Sequence, residues 1–297
     1  MEDSNETVLA LLPISLIGSV LNWAIFLAVH NLKTFNHAFG YLSANQSLAD
    51  ALHSSTFLLY FCPMVLLDQS TMKAMSRHCG FFILFCYELS LMIHLVISLN
   101  RFCAVCSPYR YQTIFSQKNT KIIIAATWLY TGTVAFFFYE EYCQFYYEEG
   151  IHFLTFTNTE VCGYIAWYGD FLKNVSIVVI IGLIDIITVL KVRQMSRKIV
   201  GNISNQAQNR LSNRDIRFLK QTVTQGSVFM LELLTYFFFP QYFENKWVVF
   251  FGTTFAWVAV SAVDGMVVVL FNPEVRKFLY CKKEKHVTVV TTTNSNP

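Results

Sequence analysis

Residues 78–104 read HCGFFILFCYELSLMIHLVISLNRFCA, and after His78 the only acidic, basic or imidazole side chains in the stretch are Glu88, His94 and Arg101. As a helix rising about 1.5 Å per residue it would be roughly 40 Å long, more than the ~30 Å hydrocarbon layer of a bilayer. Six further blocks are of the same kind: 8–30, 40–62, 121–139, 163–190, 216–239 and 247–271. Backbone polar groups in lipid must be bonded within the segment, so helices are the expected form; the strands of a transmembrane barrel would be about 10 residues of strict alternation. The chain is 54% hydrophobic and 14% charged, against about 25% charged in soluble domains. The sequence therefore predicts an all-α integral membrane protein, a seven-transmembrane helix bundle forming one domain over 1–285. The Thr/Asn-rich tail 286–297 lacks apolar periodicity and is expected to be disordered. Glu2, Asp3 and Glu6 precede the first block with no basic residue, so that block is expected to remain as a helix and not to be a cleaved signal.

Orientation follows from lysine and arginine, which are retained on the cytoplasmic side. With the N-terminus outside, eighteen of them fall on inner segments and three (Lys73, Arg77, Lys246) on outer ones, with Lys173 inside the fifth span. The outer segment 140–162 is acidic, holding Glu140, Glu141, Glu148, Glu149 and Glu160. The protein is thus placed in the plasma membrane as a multi-pass chain with an extracellular N-terminus and a cytoplasmic C-terminus. The eight cysteines form no set of paired CxxC or Cys/His motifs that could hold a metal, and no metal, cofactor or nucleic-acid partner is expected.

Ionisable and amide side chains within the spans are costly and mark either inter-helix bonds, worth about 0.6 kcal/mol on average, or function. They are Asn22, Asn45, Asp50, Glu88, His94, Asp185, Glu232 and Asp264. Their order resembles the rhodopsin-like G-protein-coupled receptors. Gly18-Ser19-Val20-Leu21-Asn22 resembles that family's first-helix motif and Leu48-Ala49-Asp50 its second. Asn100-Arg101-Phe102 stands where the family has Asp/Glu-Arg-Tyr, Trp128 suits its fourth-helix tryptophan, and Asp264 suits the seventh-helix Asn/Asp. Gly265 and Val268 replace the usual Pro and Tyr there, and the sixth helix lacks the Cys-Trp-x-Pro kink, Pro240 lying at its outer end.

A narrower resemblance accounts for these departures. The run 97–105 with Pro108, Tyr111, Ile114 and Phe115, the pair Cys143 and Cys162, 167–171 followed by Asp185, Asp264-Gly265 and 271–276 are together similar to the nematode serpentine receptor class X chemoreceptors, over nearly the whole chain. That resemblance implies a chemosensory receptor, in cilia of sensory neurons, that binds a small molecule outside and activates a heterotrimeric G protein inside. Asn100, Arg101 and Phe102 then form the G-protein end. Arg101 suits it through a permanent charge and a rigid fork of donors, and Asn100 cannot form the usual neighbouring ion pair, so an inactive-state latch must lie elsewhere. Asn22, Asp50, Asp264 and Asn272 are expected to form an intramembrane polar network, in which two close carboxyls would share a proton or hold a cation.

Cys79, Cys143 and Cys162 all lie on the oxidising side. A bridge from Cys79 to Cys162 would pin the second outer loop over the bundle mouth; Cys143 is the other partner, with Cys62 a further one. Asn272-Pro273-Glu274 reads as a helix start, followed by a short amphipathic helix with Val275, Phe278 and Leu279 toward lipid and Cys281 placed for palmitoylation. Glu88 lies near midplane with no basic partner expected at its depth, so it is the candidate anchor of a ligand pocket lined by Tyr139, Trp167, Phe171 and Tyr236. The competing readings are a non-sensory peptide or amine receptor and a small-solute transporter or channel. Transporters show inverted repeats and broken helices absent from this sequence. His53 and His94 lie on different helices without ligand spacing, and no enzyme is expected.

Epitope tags fused at Met1 and Pro297 should stain, in intact cells, only at Met1. Staining of the Pro297 tag without permeabilisation would overturn the orientation.

Overall fold

A computed structural model describes residues 2–148, 153–200 and 206–280. Seven long helical rods dominate it: α1 (Glu2–Asn31), α2 (38–66), α3 (Ser76–Cys106), α4 (117–142), α5 (160–200), α6 (Gln206–Tyr242) and α7 (246–271), followed by the short α8 (Pro273–Leu279). Five of these, α1, α3, α4, α5 and α7, are long and apolar enough to cross a bilayer by composition alone. The other two owe their polarity to one buried face. On α2, Ser43, Gln46, Ser47, Asp50, His53 and Ser54 recur at helical spacing and are buried, because that face looks into the bundle. On α6, Gln221, Thr222, Gln225 and Glu232 do the same. The outside is the reverse: Leu59, Leu129 and Leu231 are 72%, 72% and 64% exposed. Polar groups inside and leucines outside is an arrangement for lipid, not water.

Rod ends differ from the sequence reading where composition carries no signal. The α6 helix begins at Gln206, ten residues before the apolar block, so helix extends into the segment expected to be a loop. Four rods widen into π-type turns near one end of the bundle, at Phe57–Phe61, Phe136–Tyr142, Ile165–Leu172 and Phe251–Phe255. In α2 the wide turn immediately precedes Pro63, whose missing N–H and bulky ring loosen the preceding turn.

At that end the α4–α5 connection forms an antiparallel hairpin, β1 (Phe145–Glu148) with β2 (Phe153–Phe156), in the register Phe145↔Phe156 and Tyr147↔Leu154. Phe145, Tyr147 and Leu154 are buried beneath it and merge with the main core of Phe57, Phe61, Tyr87, Tyr139, Phe229 and Trp257. The hairpin is a plug driven into the bundle mouth. Its backbone descends onto α3: the Tyr147 amide donates to Ser76 Oγ at 3.2 Å, and a Cβ on Gly80 would stand 2.0 Å from the Phe145 carbonyl oxygen. Only glycine admits the strand there.

The disulfide joins Cys143 to Cys162, with Cα atoms 4.6 Å apart, and Cys79 is a free buried thiol. This corrects the expected Cys79–Cys162 pairing. The bridge closes the loop on itself between the ends of α4 and α5, and the fastening of the loop to α3 falls to Ser76 and Gly80 instead.

At the opposite end Asn272 caps α8, its Oδ1 accepting from the Glu274 amide at 3.3 Å. Val275 is fully buried against Ile25, Ala28 and Val29 of α1, so it anchors α8 to the bundle and does not face lipid as expected. Cys281 and the tail lie outside the described residues.

Gly80→Ala should destabilise the purified receptor by about 1–3 kcal/mol, the usual cost of overpacking, and lower its Tm. Gly163→Ala, where an added Cβ meets nothing within 4 Å, should not. Equal melting of both variants would count against the close approach.

Candidate functional site

Three polar assemblies line the interior from the hairpin end to the Arg101 end. The middle one joins α1, α2 and α7. Asn22 Nδ2 donates to the carbonyls of Gly18 (2.9 Å) and Ser261 (2.8 Å). Ser261 Oγ lies 3.0 Å from His53 Nδ1, and Gln46 Nε2 donates to Asp264 Oδ2 at 3.2 Å. The Asp50 carboxyl is flanked by the hydroxyls of Ser90 and Ser261 and is close enough to Asp264 for the two to interact. Asn22, Asp50 and Asp264 thus share one region, while Asn272 is the cap of α8, two turns further along. Gln46, His53 and Ser261, absent from the expected set, complete the assembly. On α2 their only sequence signal is the spacing Gln46, Asp50, His53 on one helix face. Trp128 Nε1 ties α4 to α2 through Asn45 Oδ1 at 3.3 Å.

Beneath the hairpin lies a small cavity lined by Tyr87, Asp170, Glu232, Tyr236, Phe237 and Trp257, with Leu84 and Leu233. Its space is about 10 Å³, room for about one water molecule. The Tyr87 hydroxyl donates to Glu232 Oε2 at 2.5 Å. Trp257 is its hub, edge-on to His53 (5.2 Å), Phe57 (5.9 Å), Tyr87 (5.7 Å) and Phe145 (5.5 Å).

Of the expected pocket residues, Tyr236 lines this cavity and Glu88 does not. Glu88 faces the α3–α4–α5 side and pairs with Lys173 Nζ at 2.7 Å, which corrects the expectation that it lacks a basic partner. Asn174 Nδ2 then donates at 2.8 Å to both Glu88 Oε1 and Asp170 Oδ1. Trp167 and Phe171 pack on α6 instead, with Phe171 4.7 Å from Phe237. Tyr139 is buried against Phe156 of the hairpin. The wide turn in α5 is the cause. It turns Asp170 inward and leaves Trp167 40% exposed.

At the far end of α3, Arg101 is 9% exposed and its guanidinium lies 3.5 Å from the ring centre of Phe39 on α2, a cation–π stack. Asn100 Nδ2 reaches the Tyr111 hydroxyl at 3.5 Å, and Phe102 is half-buried. The carboxylate whose field acts on Arg101 is Asp185 of α5, buried beside Ser98 and Thr222. Between α5, α6 and Phe271 of α7 an apolar cleft of about 350 Å³ opens, bordered by Val189, Val192, Arg193 and Lys220.

The model of the serpentine-type seven-transmembrane G-protein-coupled chemoreceptor family Srx matches residues 12–272. The chain belongs to the Srx family. It is 26% identical to serpentine receptor class X 45 of Caenorhabditis elegans, over 94% of this chain and 82% of that one. It is likewise 26% identical to serpentine receptor class X-43 of the same organism, over 94% and 90% of the two chains. The fold is similar to that of squid rhodopsin, with a TM-score of 0.76 at 15% identity over 95% of this chain and 85% of that one. This Srx protein is therefore a seven-helix integral membrane receptor, of a family of receptors and not of enzymes.

Within this receptor the Glu88–Lys173 pair places a buried carboxylate against a lysine that is itself mostly buried. Removing one partner of a buried pair strands the other and costs about 3–5 kcal/mol. Lys173→Met should accordingly collapse surface expression, and adding Glu88→Gln should restore most of it. Flow cytometry of tagged receptor checks both; no rescue by the double variant would show that the pair is not what Lys173 serves.

Proposed function

We propose that this Srx receptor is chemosensory, taking a small molecule at its hairpin end and activating a heterotrimeric G protein at its Arg101 end. The observation that carries the reading is the layout of α3. Tyr87 lines the aromatic cavity, Ser90 stands beside Asp50, and Arg101 closes the opposite end. Tyr87 and Arg101 are fourteen residues apart, about 21 Å of one rigid helix. A ligand that shifts α3 or α6 at the cavity therefore bears on the far end through continuous packing.

The G-protein surface in this reading comprises Asn100, Arg101 and Phe102 with the basic ends of α5 and α6. Asp185 takes over the restraint on Arg101 that residue 100, an asparagine, cannot supply. The receptor sits in the plasma membrane of sensory cilia with its N-terminus outside, as the distribution of basic residues and the family's chemosensory description favour.

In reporter cells screened with a chemical panel, Arg101→Ala should abolish agonist-driven signalling at near-normal surface expression. Asp185→Asn should raise basal signalling at least about twofold, since a restraint worth even 0.4 kcal/mol shifts a two-state equilibrium by that factor. Wild-type signalling from well-expressed Arg101→Ala would refute the coupling role.

A further inference from the structure

We infer that the cavity among α3, α5, α6 and α7 is a site for a small organic cation, an alkyl- or arylalkylammonium, held by the carboxyls of Asp170 and Glu232 and the ring faces of Tyr87, Tyr236 and Trp257. The inference rests on the ligand-receptor reading above and gives it a chemical class.

Charge is the first argument. Glu88, Asp170 and Glu232 are buried in this half of the bundle with one lysine, Lys173, and that ammonium lies 2.7 Å from Glu88. Asp170 receives the Asn174 amide and Glu232 the Tyr87 hydroxyl. Neither hydrogen bond supplies a positive charge, and Lys173, whose field also reaches Asp170, is one ammonium against three carboxyls. Both carboxyls line the cavity while only 5% and 4% exposed. At membrane depth such groups must be neutral, holding protons when the site is empty or a cation when it is filled. An anion would face two acids, and a neutral guest would leave them as they were.

Donor and acceptor count agrees. An ammonium brings three donors and no acceptor. The site answers with the carboxyl oxygens of Asp170 and Glu232. Tyr87, Tyr236 and Trp257 meet one another with centroids 5.7 and 6.2 Å apart around the cavity. Such rings attract a cation to their faces, with about 2 kcal/mol available when it is desolvated.

Size supplies the link to signalling. The cavity now holds about one water, so an organic guest must displace its walls. Glu232, Leu233, Tyr236 and Phe237, half of the lining, belong to α6. The guest that satisfies the acids therefore pushes on α6.

The test uses the full-length receptor purified in nanodiscs, with phenylethylammonium and isoamylammonium as probes and the alcohols of the same shape as neutral controls. The cations should raise Tm by about 2–4 °C at tenfold saturation and the alcohols should not. Asp170→Asn and Glu232→Gln should each weaken the cation effect at least about tenfold. Where those variants fold poorly, Tyr236→Leu and Trp257→Leu, which keep the acids, should weaken it too. On the unaltered receptor, calorimetry in two buffers of different ionisation enthalpy should show protons released as the cation binds. Equal shifts by cations and alcohols, no shift by either cation up to about 10 mM, or binding without proton release would each overturn the site. None of these readouts needs a G protein. A receptor signalling to a neutral agonist without any cation shift would sink this inference and leave the receptor reading standing.

Discussion

A carboxyl group placed in hydrocarbon must find its partner inside the protein, and six of them shape this bundle. Asp50, Glu88, Asp170, Asp185, Glu232 and Asp264 all lie on the inner faces of their helices and are all buried. Each commits a stretch of its rod to face the axis, so their positions fix the rotation of α2, α3, α5, α6 and α7. The polar face of α2 and the mixed composition of α6 follow from this. So does the leucine-rich exterior, since what the interior takes in polar groups the lipid surface returns in apolar ones. The constraint also explains why Lys173 sits in the first half of α5. It is the one cation at that depth among the described residues, and it neutralises the carboxyl that faces away from the central cavity.

The second organising element is aromatic. Trp257 touches rings from α2, α3 and α6 and from the hairpin, so the plug, the cavity and the seventh helix meet on one indole. Tilted and edge-on ring pairs are each worth about 0.5–1.5 kcal/mol beyond their buried area, and many of them surround this point. The hairpin half is accordingly tightly locked. Gly80 permits the lock because the strand carbonyl of Phe145 occupies the space a side chain would need.

What was legible in the sequence was whatever depends on composition and local spacing. The seven-helix fold follows from the length of apolar runs, and the Srx family from the joint order of 97–105, Cys143 and Cys162, 167–171, Asp264-Gly265 and 271–276. The cap at Asn272 was equally readable, because capping is a matter of three consecutive residues. What escaped depends on helical phase and on contacts between rods. A wide π-type turn carries more residues per revolution than an α turn, so it delays the phase of everything beyond it. The expected pocket took Trp167 and Phe171 as the aromatic residues available on the fifth span, whereas the structure turns Asp170 into the cavity. The same shift brings Lys173 and Asn174 round to Glu88. Trp257 sits in no motif, and its role appears only when four elements converge on it. The disulfide was undecidable for another reason: Cys79, Cys143 and Cys162 share a compartment, and only the fold of the hairpin puts two of them together.

The two halves of the bundle differ in what holds their helices together, and separating the helices would cost them differently. In the hairpin half Glu88, Asp170, Asn174, Tyr87 and Glu232 are joined by short bonds. Along the seam of α3, α5 and α6 toward Arg101 the buried contacts are between polar side chains with few rings among them. There the Asp185 carboxyl lies beside the Ser98 and Thr222 hydroxyls and within reach of the Arg101 charge, and Gln221 Nε2 donates to Gln225 Oε1 at 3.4 Å. Separation of α6 from α3 at that end would admit water to these polar groups, which can replace their lost hydrogen bonds. The same separation at the hairpin end would break aromatic contacts with no comparable return. If a ligand pushes on Glu232 or Tyr236, as proposed, the cheaper place for the helices to part is the Arg101 end, where the helix ends enclose the cleft beside Phe271.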